Sequence, residues 1–341
     1  VEISLLGGTF EPGATPEPAG ASEIEFTVNA GNGDDGLIVD GTDAADELRF
    51  GQVASAALRA NLNAAAEPVA SDYDDIATTS VEELTVNGRR GDDQINAAGD
   101  ASATPALDSA DPLGPSSLQG GNGADFVRGG VGADELLGGS EDDNLVGGAG
   151  DDALAGETGN DKLDGGGDAD GIEGGDGIDR AFYEERNTSV SVTIGNGVPD
   201  DGNASDASGS GLDNVGASVE HLTGGPAPDI LTGSAADNRI DGGSGGDVIR
   251  GLAGGDRLTG SLGADTLDGG AGDDALDGGG DADALLGSAG ADRLLGGVAG
   301  DRLFGGAGPD FLRGDRGRDL LKGQRGSDRL TARDGRRDRR I

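Results

Sequence analysis

The chain of 341 residues contains no cysteine, no methionine and no tryptophan, and only 3% of its residues are aromatic. Without cysteine there is no disulfide framework, no zinc thiolate site and no thiol nucleophile. No apolar run approaches the roughly 18 residues of a membrane-spanning helix, so no transmembrane segment is expected. Because Val1 stands where an initiator methionine would be, we expect a processed or excised chain.

Recognisable catalytic motifs are also missing. A single histidine, His221, cannot form an HExxH zinc site, and there is no GxSxG elbow and no Walker loop. Basic residues are scarce, with 24 Lys and Arg against 65 Asp and Glu and a formal net charge of −41. A charge of this sign repels nucleic acid and anionic lipid and attracts cations. We therefore expect no enzymatic activity, no specific nucleic-acid partner and a metal cation as the small partner.

Glycine and aspartate are the residues that the chain has in excess. There are 70 Gly, and 49 of the 65 acidic residues are Asp, which shows a preference for the shorter carboxylate. Such a composition alone would indicate low complexity or disorder unless a strict period organises it.

The period is nine residues. Seven nonapeptides follow one another without a gap from Gly120 to Phe182, and twelve more run from Gly224 to Thr331, among them GGAGDDALD and GGAGPDFLR. Position six is Asp in all seven units of the first array and in 11 of the 12 units of the second, where Asn238 is the exception. Position eight is apolar in every unit. A disordered acidic tail or a salt-adapted surface would not explain this apolar residue.

These units resemble GGxGxDxUx, the RTX or haemolysin-type calcium-binding nonapeptide repeat, in which U is a large apolar residue. The resemblance implies an all-β fold, a right-handed parallel β-roll or β-solenoid in which two nonapeptides form one 18-residue coil. In each unit the first six residues would form a turn and the next three a short strand. The resemblance also implies that the position-six carboxylates and turn carbonyls of two stacked turns enclose Ca²⁺, an ion that takes only oxygen ligands.

The implied calcium ligands are the position-six aspartates of both arrays. They are Asp125, Asp134, Asp143, Asp152, Asp161, Asp170, Asp179, Asp229, Asp247, Asp256, Asp265, Asp274, Asp283, Asp292, Asp301, Asp310, Asp319 and Asp328. Pairing units on the same side of the roll allows at most about 15 ions. One large apolar side chain in nine offers little burial against chain entropy and carboxylate repulsion, so we expect the chain to be unfolded without calcium and folded with it.

The chain divides on these patterns into five segments. Residues 1–119 read as a degenerate N-terminal solenoid or cap, with strand-like alternation in EIEFTVN and VEELTVN. Array 1 covers residues 120–182, a strand-loop-strand insertion covers 183–223, array 2 covers 224–331, and a basic tail covers 332–341. Within the insertion we predict a strand at TSVSVTI (188–194), an acidic loop at 200–214 and a second strand in ASVEHLTGG.

The expected role is that of a secreted, extracellular or cell-surface calcium-binding structural protein. The first 48 residues carry 11 acids and no base, whereas residues 313–341 carry 11 bases and five acids. This asymmetry predicts head-to-tail contact between copies, and hence a homo-oligomer, filament or surface layer. The alternative is a non-catalytic RTX segment of a larger secreted toxin, protease or adhesin.

Overall fold

The structure, a computed structural model, describes residues 116–202 and 212–331. Before and after these ranges it describes only the strands 2–6, 9–12, 26–29, 36–40, 47–53, 57–61, 76–79, 83–90, 94–96 and 339–340. These parts of the chain contain strands and turns and no helix, and therefore no helix that is long and apolar enough to cross a membrane. The chain forms two compact units, residues 1–177 and 178–341.

The described residues of the first unit form sixteen strands. They are β1 Glu2–Leu6, β2 Thr9–Pro12, β3 Phe26–Asn29, β4 Gly36–Asp40, β5 Glu47–Val53, β6 Ala57–Asn61, β7 Ile76–Thr79, β8 Glu83–Arg90, β9 Gln94–Asn96, β10 Ser116–Asn122, β11 Phe126–Val131, β12 Glu135–Ser140, β13 Asn144–Ala149, β14 Ala153–Gly159, β15 Lys162–Gly167 and β16 Gly171–Gly177.

Two parallel ladders run through the repeats of this unit. The strands β8, β10, β12, β14 and β16 pair in that order, and β9, β11, β13 and β15 form the second ladder. In the array, each residue pairs with the residue 18 positions later, as in the pairs Leu118 with Leu136 and Leu145 with Leu163. Ahead of the array the pairing is mixed, since β1–β4, β2–β3, β5–β6 and β6–β7 are antiparallel.

The second unit contains the remaining strands. They are β17 Arg180–Phe182, β18 Ser191–Thr193, β19 Asn214–Val215, β20 His221–Thr223, β21 Ile230–Thr232, β22 Arg239–Asp241, β23 Val248–Ala253, β24 Arg257–Leu262, β25 Thr266–Ala271, β26 Ala275–Gly280, β27 Ala284–Ala289, β28 Arg293–Gly297, β29 Arg302–Ala307, β30 Phe311–Arg313, β31 Leu320–Arg325, β32 Arg329–Thr331 and β33 Arg339–Arg340.

This unit also consists of two parallel ladders, one of which we call the even sheet and the other the odd sheet. The even sheet pairs β17, β20, β22, β24, β26, β28, β30 and β32 in that order. The odd sheet pairs β18, β21, β23, β25, β27, β29, β31 and β33. The expected all-β parallel β-roll with a coil of 18 residues is therefore confirmed.

The apolar residue at position eight forms the core of each unit. Val127, Leu145 and Leu163 in the first unit and Leu258 and Leu276 in the second are at most 1% exposed. Side chains alternate in and out along a strand, so positions seven and nine face outward when position eight faces inward. Leu330, in the last repeat, is only half-buried.

The strands are longer than the sequence predicts. Strand β11, for example, starts at position seven and continues to position three of the next unit, so that Gly130 of its Gly-Gly pair lies in register with Gly148. The prediction of a three-residue strand was therefore too short, because the glycines take part in the ladder instead of leaving it.

The insertion contains the predicted strands in shortened form. TSVSVTI yields Ser191–Thr193 and ASVEHLTGG yields His221–Thr223. Most of the acidic loop predicted at 200–214 lies outside the described residues. Beside it, Tyr183 is fully buried and its hydroxyl donates a hydrogen bond to the buried Asp213, which ties the two sides of the insertion together.

Candidate metal centre

The turn between two strands favours glycine because the backbone there takes positive φ and lies against the neighbouring coil, although some turns have another residue at these positions, such as Glu141 and Ala299. Positions two and four of the repeat have positive φ, as at Gly139 with φ 119° and Gly150 with φ 122°. A Cβ on either residue would overlap the carbonyl oxygen of the residue 18 positions earlier. The carbonyl oxygens of positions two and four are thus aimed along the stack of turns.

The position-six aspartates form hydrogen-bonded ladders parallel to the strands. The backbone N–H of one aspartate donates to Oδ1 of the aspartate one coil later, for example Asp143 to Asp161 at 2.8 Å and Asp265 to Asp283 at 2.9 Å. The same bond recurs from Asp310 to Asp328 at 3.1 Å. One oxygen of each carboxylate therefore serves the backbone of the neighbouring turn.

The other oxygen points inward. A Cβ on Gly129 would lie 2.6 Å from Oδ2 of Asp134 and 2.5 Å from the carbonyl oxygen of Gly147, so that these two oxygens converge beside the glycine. In many of the predicted ligands Oδ2 is buried and has no hydrogen-bond partner. These residues are Asp134, Asp143, Asp152, Asp247, Asp256, Asp265, Asp274, Asp283, Asp292, Asp301 and Asp310.

Burial raises the pKa of these carboxyl groups. It brings the pKa of Asp143 and Asp152 to about 8 and that of Asp247 and Asp283 to about 7, and the neighbouring ladder aspartates add to the shift. The physical cause is that an ionised carboxylate loses its hydration while a second one lies a single coil away. Such a site favours either a proton or a cation.

All but one of the eighteen aspartates predicted from the sequence are buried; the exception is Asp328, which lies in the last repeat and is half-buried. Asp229 differs from the others because both of its oxygens accept backbone hydrogen bonds, Oδ1 from Val190 and Oδ2 from Gly225, each at 2.8 Å.

Sequence reasoning missed Glu220 as a member of the ladder. Its Oε2 accepts a hydrogen bond from the backbone N–H of Asp179 at 2.9 Å. In a regular repeat, the residue in the place of Glu220 would be an Asp. The next member is Asn238, whose Nδ2 donates to the carbonyl oxygen of Glu220 at 3.2 Å. The signal was present, because GASVEHLT occupies positions two to nine directly before Gly224 in the frame of array 2.

The atoms available to bind a metal in these turns are all oxygens, and each turn contributes few carboxylates. Across the described ranges, no three or more His, Cys, Asp or Glu side chains come together in a group that could hold a metal ion. Each turn supplies one inward carboxylate, and further ligands must be backbone carbonyl oxygens, a set typical of calcium and unlike that of zinc or other transition metals.

The fold and these turns define a class of protein, the parallel β-roll with a repeated acidic turn. The model of the RTX calcium-binding nonapeptide repeat matches residues 116–145, 146–181, 216–249, 223–258, 250–285, 277–312 and 304–336, which together make up more than half of the chain. The chain belongs to this family, and membership implies calcium binding. A comparison with curated proteins finds no match.

Proposed function

We propose that the eighteen position-six aspartates named above and the carbonyl oxygens of the stacked turns hold Ca²⁺ at up to about 15 places, and that the protein folds when it binds these ions. Calcium, when bound, supplies positive charge to buried carboxylates that have no other counter-ion. The sites of the regular coils are expected to be stronger than those next to Glu220, Asn238 and Asp229, where the ladder departs from the repeat.

The buried Oδ2 atoms carry this proposal. A buried carboxylate oxygen without a hydrogen bond costs several kcal/mol relative to water unless a proton or cation satisfies it. The second unit repeats the arrangement at Asp247, Asp265, Asp283 and Asp301 along a single ladder. A column of such groups cannot stay ionised and buried without metal.

Circular dichroism during calcium titration tests the proposal. We expect little β signal in chelator, full recovery in Ca²⁺ and much weaker recovery in Mg²⁺, which demands a smaller, octahedral site. Asp265→Asn should raise the calcium midpoint because it keeps the Oδ1 acceptor and removes the charge. Asp268→Asn is the matched control, since Asp268 lies on the outer face and needs only an acceptor for Ser288. A full β spectrum in chelator, or equal midpoints for the two variants, would refute the proposal.

At the level of the whole protein, we propose a secreted, non-catalytic structural role with head-to-tail assembly into a filament or surface layer. The support is the charge asymmetry along the chain and the absence of catalytic motifs from the sequence. The second candidate is a non-catalytic segment of a larger secreted toxin, protease or adhesin, in which the calcium-bound roll would serve as a structural module. The intact mass of the secreted protein distinguishes the two, because a larger parent would exceed 33.4 kDa.

A further inference from the structure

The even sheet of the second unit carries a column of basic side chains on an otherwise acidic protein. Position seven of successive strands places the following residues in direct register: Arg180, His221, Arg239, Arg257, Ala275, Arg293, Phe311 and Arg329. We call this column the arginine ladder. The four arginines from Arg239 onward are exposed, so the charge faces solvent.

The arginine ladder brings like charges close together. Arg239 lies directly opposite Arg257, and like charges in register across two strands are destabilising. The positive charge of the ladder also acts on His221. Burial, followed by repulsion from Arg180 and Arg239, lowers the pKa of its imidazole. The only ion pair shown for a described arginine of this sheet joins Arg313 to Asp315 at 2.8 Å, and Arg313 is at position nine, outside the ladder. The guanidinium groups of the ladder from Arg239 onward remain exposed to solvent, as a surface that binds an anionic ligand requires.

The odd sheet provides an internal comparison. Its position-seven column runs through Ser191, Ile230, Val248, Thr266, Ala284, Arg302, Leu320 and Arg339, with two bases against five arginines and His221 in the even sheet. Both columns come from the same repeats at the same position. The repeat alone therefore does not require arginine at position seven. The basic residues at this position are concentrated on the face of the even sheet.

The column beside the arginine ladder offers hydrogen-bonding groups to a bound polymer. Position nine of the even sheet runs in register through Thr223, Asp241, Thr259, Asp277, Leu295, Arg313 and Thr331, and hydroxyl and carboxylate groups alternate as far as Asp277. The hydroxyl and carboxylate groups of this column can exchange hydrogen bonds with sugar hydroxyls. The ring of Phe311 is approached by Arg293 at 5.2 Å and Arg329 at 5.6 Å from its centroid, so it is not a free platform for a nucleic-acid base.

We propose that the arginine ladder binds a linear polysaccharide that carries carboxylates, a chain of the polyuronate class. Guanidinium groups pair with carboxylates through two parallel hydrogen bonds. The threonines and aspartates of the adjacent column bind the hydroxyls. Successive coils repeat about every 4.8 Å along the sheet, a spacing on the scale of one sugar unit. An extended polymer lying along the coils meets the ladder at several points at once.

The test is calorimetric titration of the calcium-loaded full chain with short oligogalacturonates and with their methyl esters, which keep the hydroxyls and lose the charge. We expect binding of the acid that weakens with salt, and no binding of the ester. The double variant Arg257→Gln, Arg293→Gln should weaken binding about tenfold or more. Arg302→Gln, at position seven of the odd sheet, should leave the affinity unchanged.

A second measurement separates binding from folding. Removing charge from the arginine ladder should leave the calcium-dependent β spectrum intact, because the arginines lie on the exposed face of the sheet and outside the apolar and carboxylate columns. Equal affinity of the double variant and the Arg302 variant, or equal binding of the acid and its ester, would overturn the proposal. If DNA bound more tightly than oligogalacturonate, the ligand of this surface would be a nucleic acid and the polysaccharide proposal would be wrong. Failure of calcium-dependent folding would count against the metal sites and not against this surface.

Discussion

The two carboxylate oxygens of a position-six aspartate make different interactions. In Asp265, Oδ1 accepts the backbone N–H of Asp247 at 2.8 Å, while Oδ2 is buried and has no hydrogen-bond partner. In Asp229 both oxygens are already engaged by backbone N–H groups. The same residue type at the same position of the repeat therefore differs in its capacity to bind a cation.

This difference predicts unequal effects of two substitutions on calcium affinity. Asp265→Ala should raise the calcium midpoint for folding more than Asp229→Ala, because Asp265 has stacked aspartates on both sides and a free oxygen. Asp229→Ala should act mainly on the free energy of unfolding at saturating calcium, by about 1–3 kcal/mol for the backbone groups left unpaired. Calcium titrations followed by circular dichroism, with denaturant unfolding in excess calcium, measure the two quantities. Identical midpoints would contradict a shared-ligand geometry.

The turn glycines allow a second test on single residues. Gly263 has φ 130° and a Cβ there would overlap the carbonyl oxygen of Gly245, whereas Gly197 has φ 67° and a Cβ there would meet nothing within 4 Å. Gly197→Ala should cost about 1 kcal/mol for backbone conformation alone, and Gly263→Ala about 3 kcal/mol or more because the coils must separate. Urea unfolding in excess calcium gives both values. Comparable losses would mean that coil spacing does not depend on glycine.

At the scale of the strand and its turn, stability depends on columns of residues that stack in register across successive coils, and not on isolated contacts. Leu258, Leu276 and Leu294 lie in register in the core, and beside them Asp256, Asp274 and Asp292 form the carboxylate column. The apolar column stabilises the stack, while the acidic column opposes it until its charge is neutralised. Calcium and protons are two ways to neutralise the same column.

This competition predicts opposite pH dependence with and without calcium. In the calcium-free fold, burial raises the pKa of Asp256, Asp274, Asp292 and Asp301 from 3.8 to about 6 and that of Asp143 and Asp152 to about 8. The fold therefore binds more protons than the unfolded chain. Its stability is fully present below about pH 3.8 and is lost as the pH rises through about 6 to 8. In chelator, acidification should restore β structure.

With calcium the sign reverses, because protons compete with the metal for the same carboxylates. Lowering the pH from about 8 to about 5 should then raise the calcium concentration needed for folding. Circular dichroism across this range, in chelator and in a calcium series, checks both halves. A chelated protein that gains structure as the pH rises would contradict the role assigned to the buried carboxyls.

At the scale of the whole molecule, charge is distributed unevenly along the chain. The basic tail includes Arg339–Arg340, a strand that pairs with Leu320–Leu321 of β31, so part of the tail extends the odd sheet. The proposed head-to-tail contact must therefore use the charge of the tail together with whatever sheet edge the tail leaves open.

Electron microscopy in calcium tests this assembly. The wild-type chain should form fibres at low salt, and these should shorten or vanish as salt screens the contact. Changing Arg336 and Arg337 to Glu should abolish the fibres while leaving the calcium-dependent spectrum intact. A chain that stays monomeric at high concentration and low salt, or fibres that survive the charge reversal, would show that the asymmetry serves another purpose.

The sequence by itself determined the period, the fold class and the positions of the inward residues. Strict spacing of nine places Asp at position six and an apolar residue at position eight, and a coil of two repeats stacks residues 18 apart, as Leu145 and Leu163 do. A local pattern suffices here because each coil contacts mainly its neighbours, so that the same short-range rules apply along the arrays.

Other features were decided only by the tertiary structure. The two carboxylate oxygens of Asp265 are equivalent in sequence, and stacking alone gives one to the backbone and leaves the other for a cation. Glu220 lies in the frame of array 2, but only the closing of the coil across the insertion brings it next to Asp179, 41 residues earlier in the chain. The arginine ladder likewise exists only once residues 18 apart meet in register, since along the chain Arg257 and Arg293 are separated by 35 residues of mixed charge. In each case the deciding factor is which groups become neighbours across coils, which the linear order leaves open.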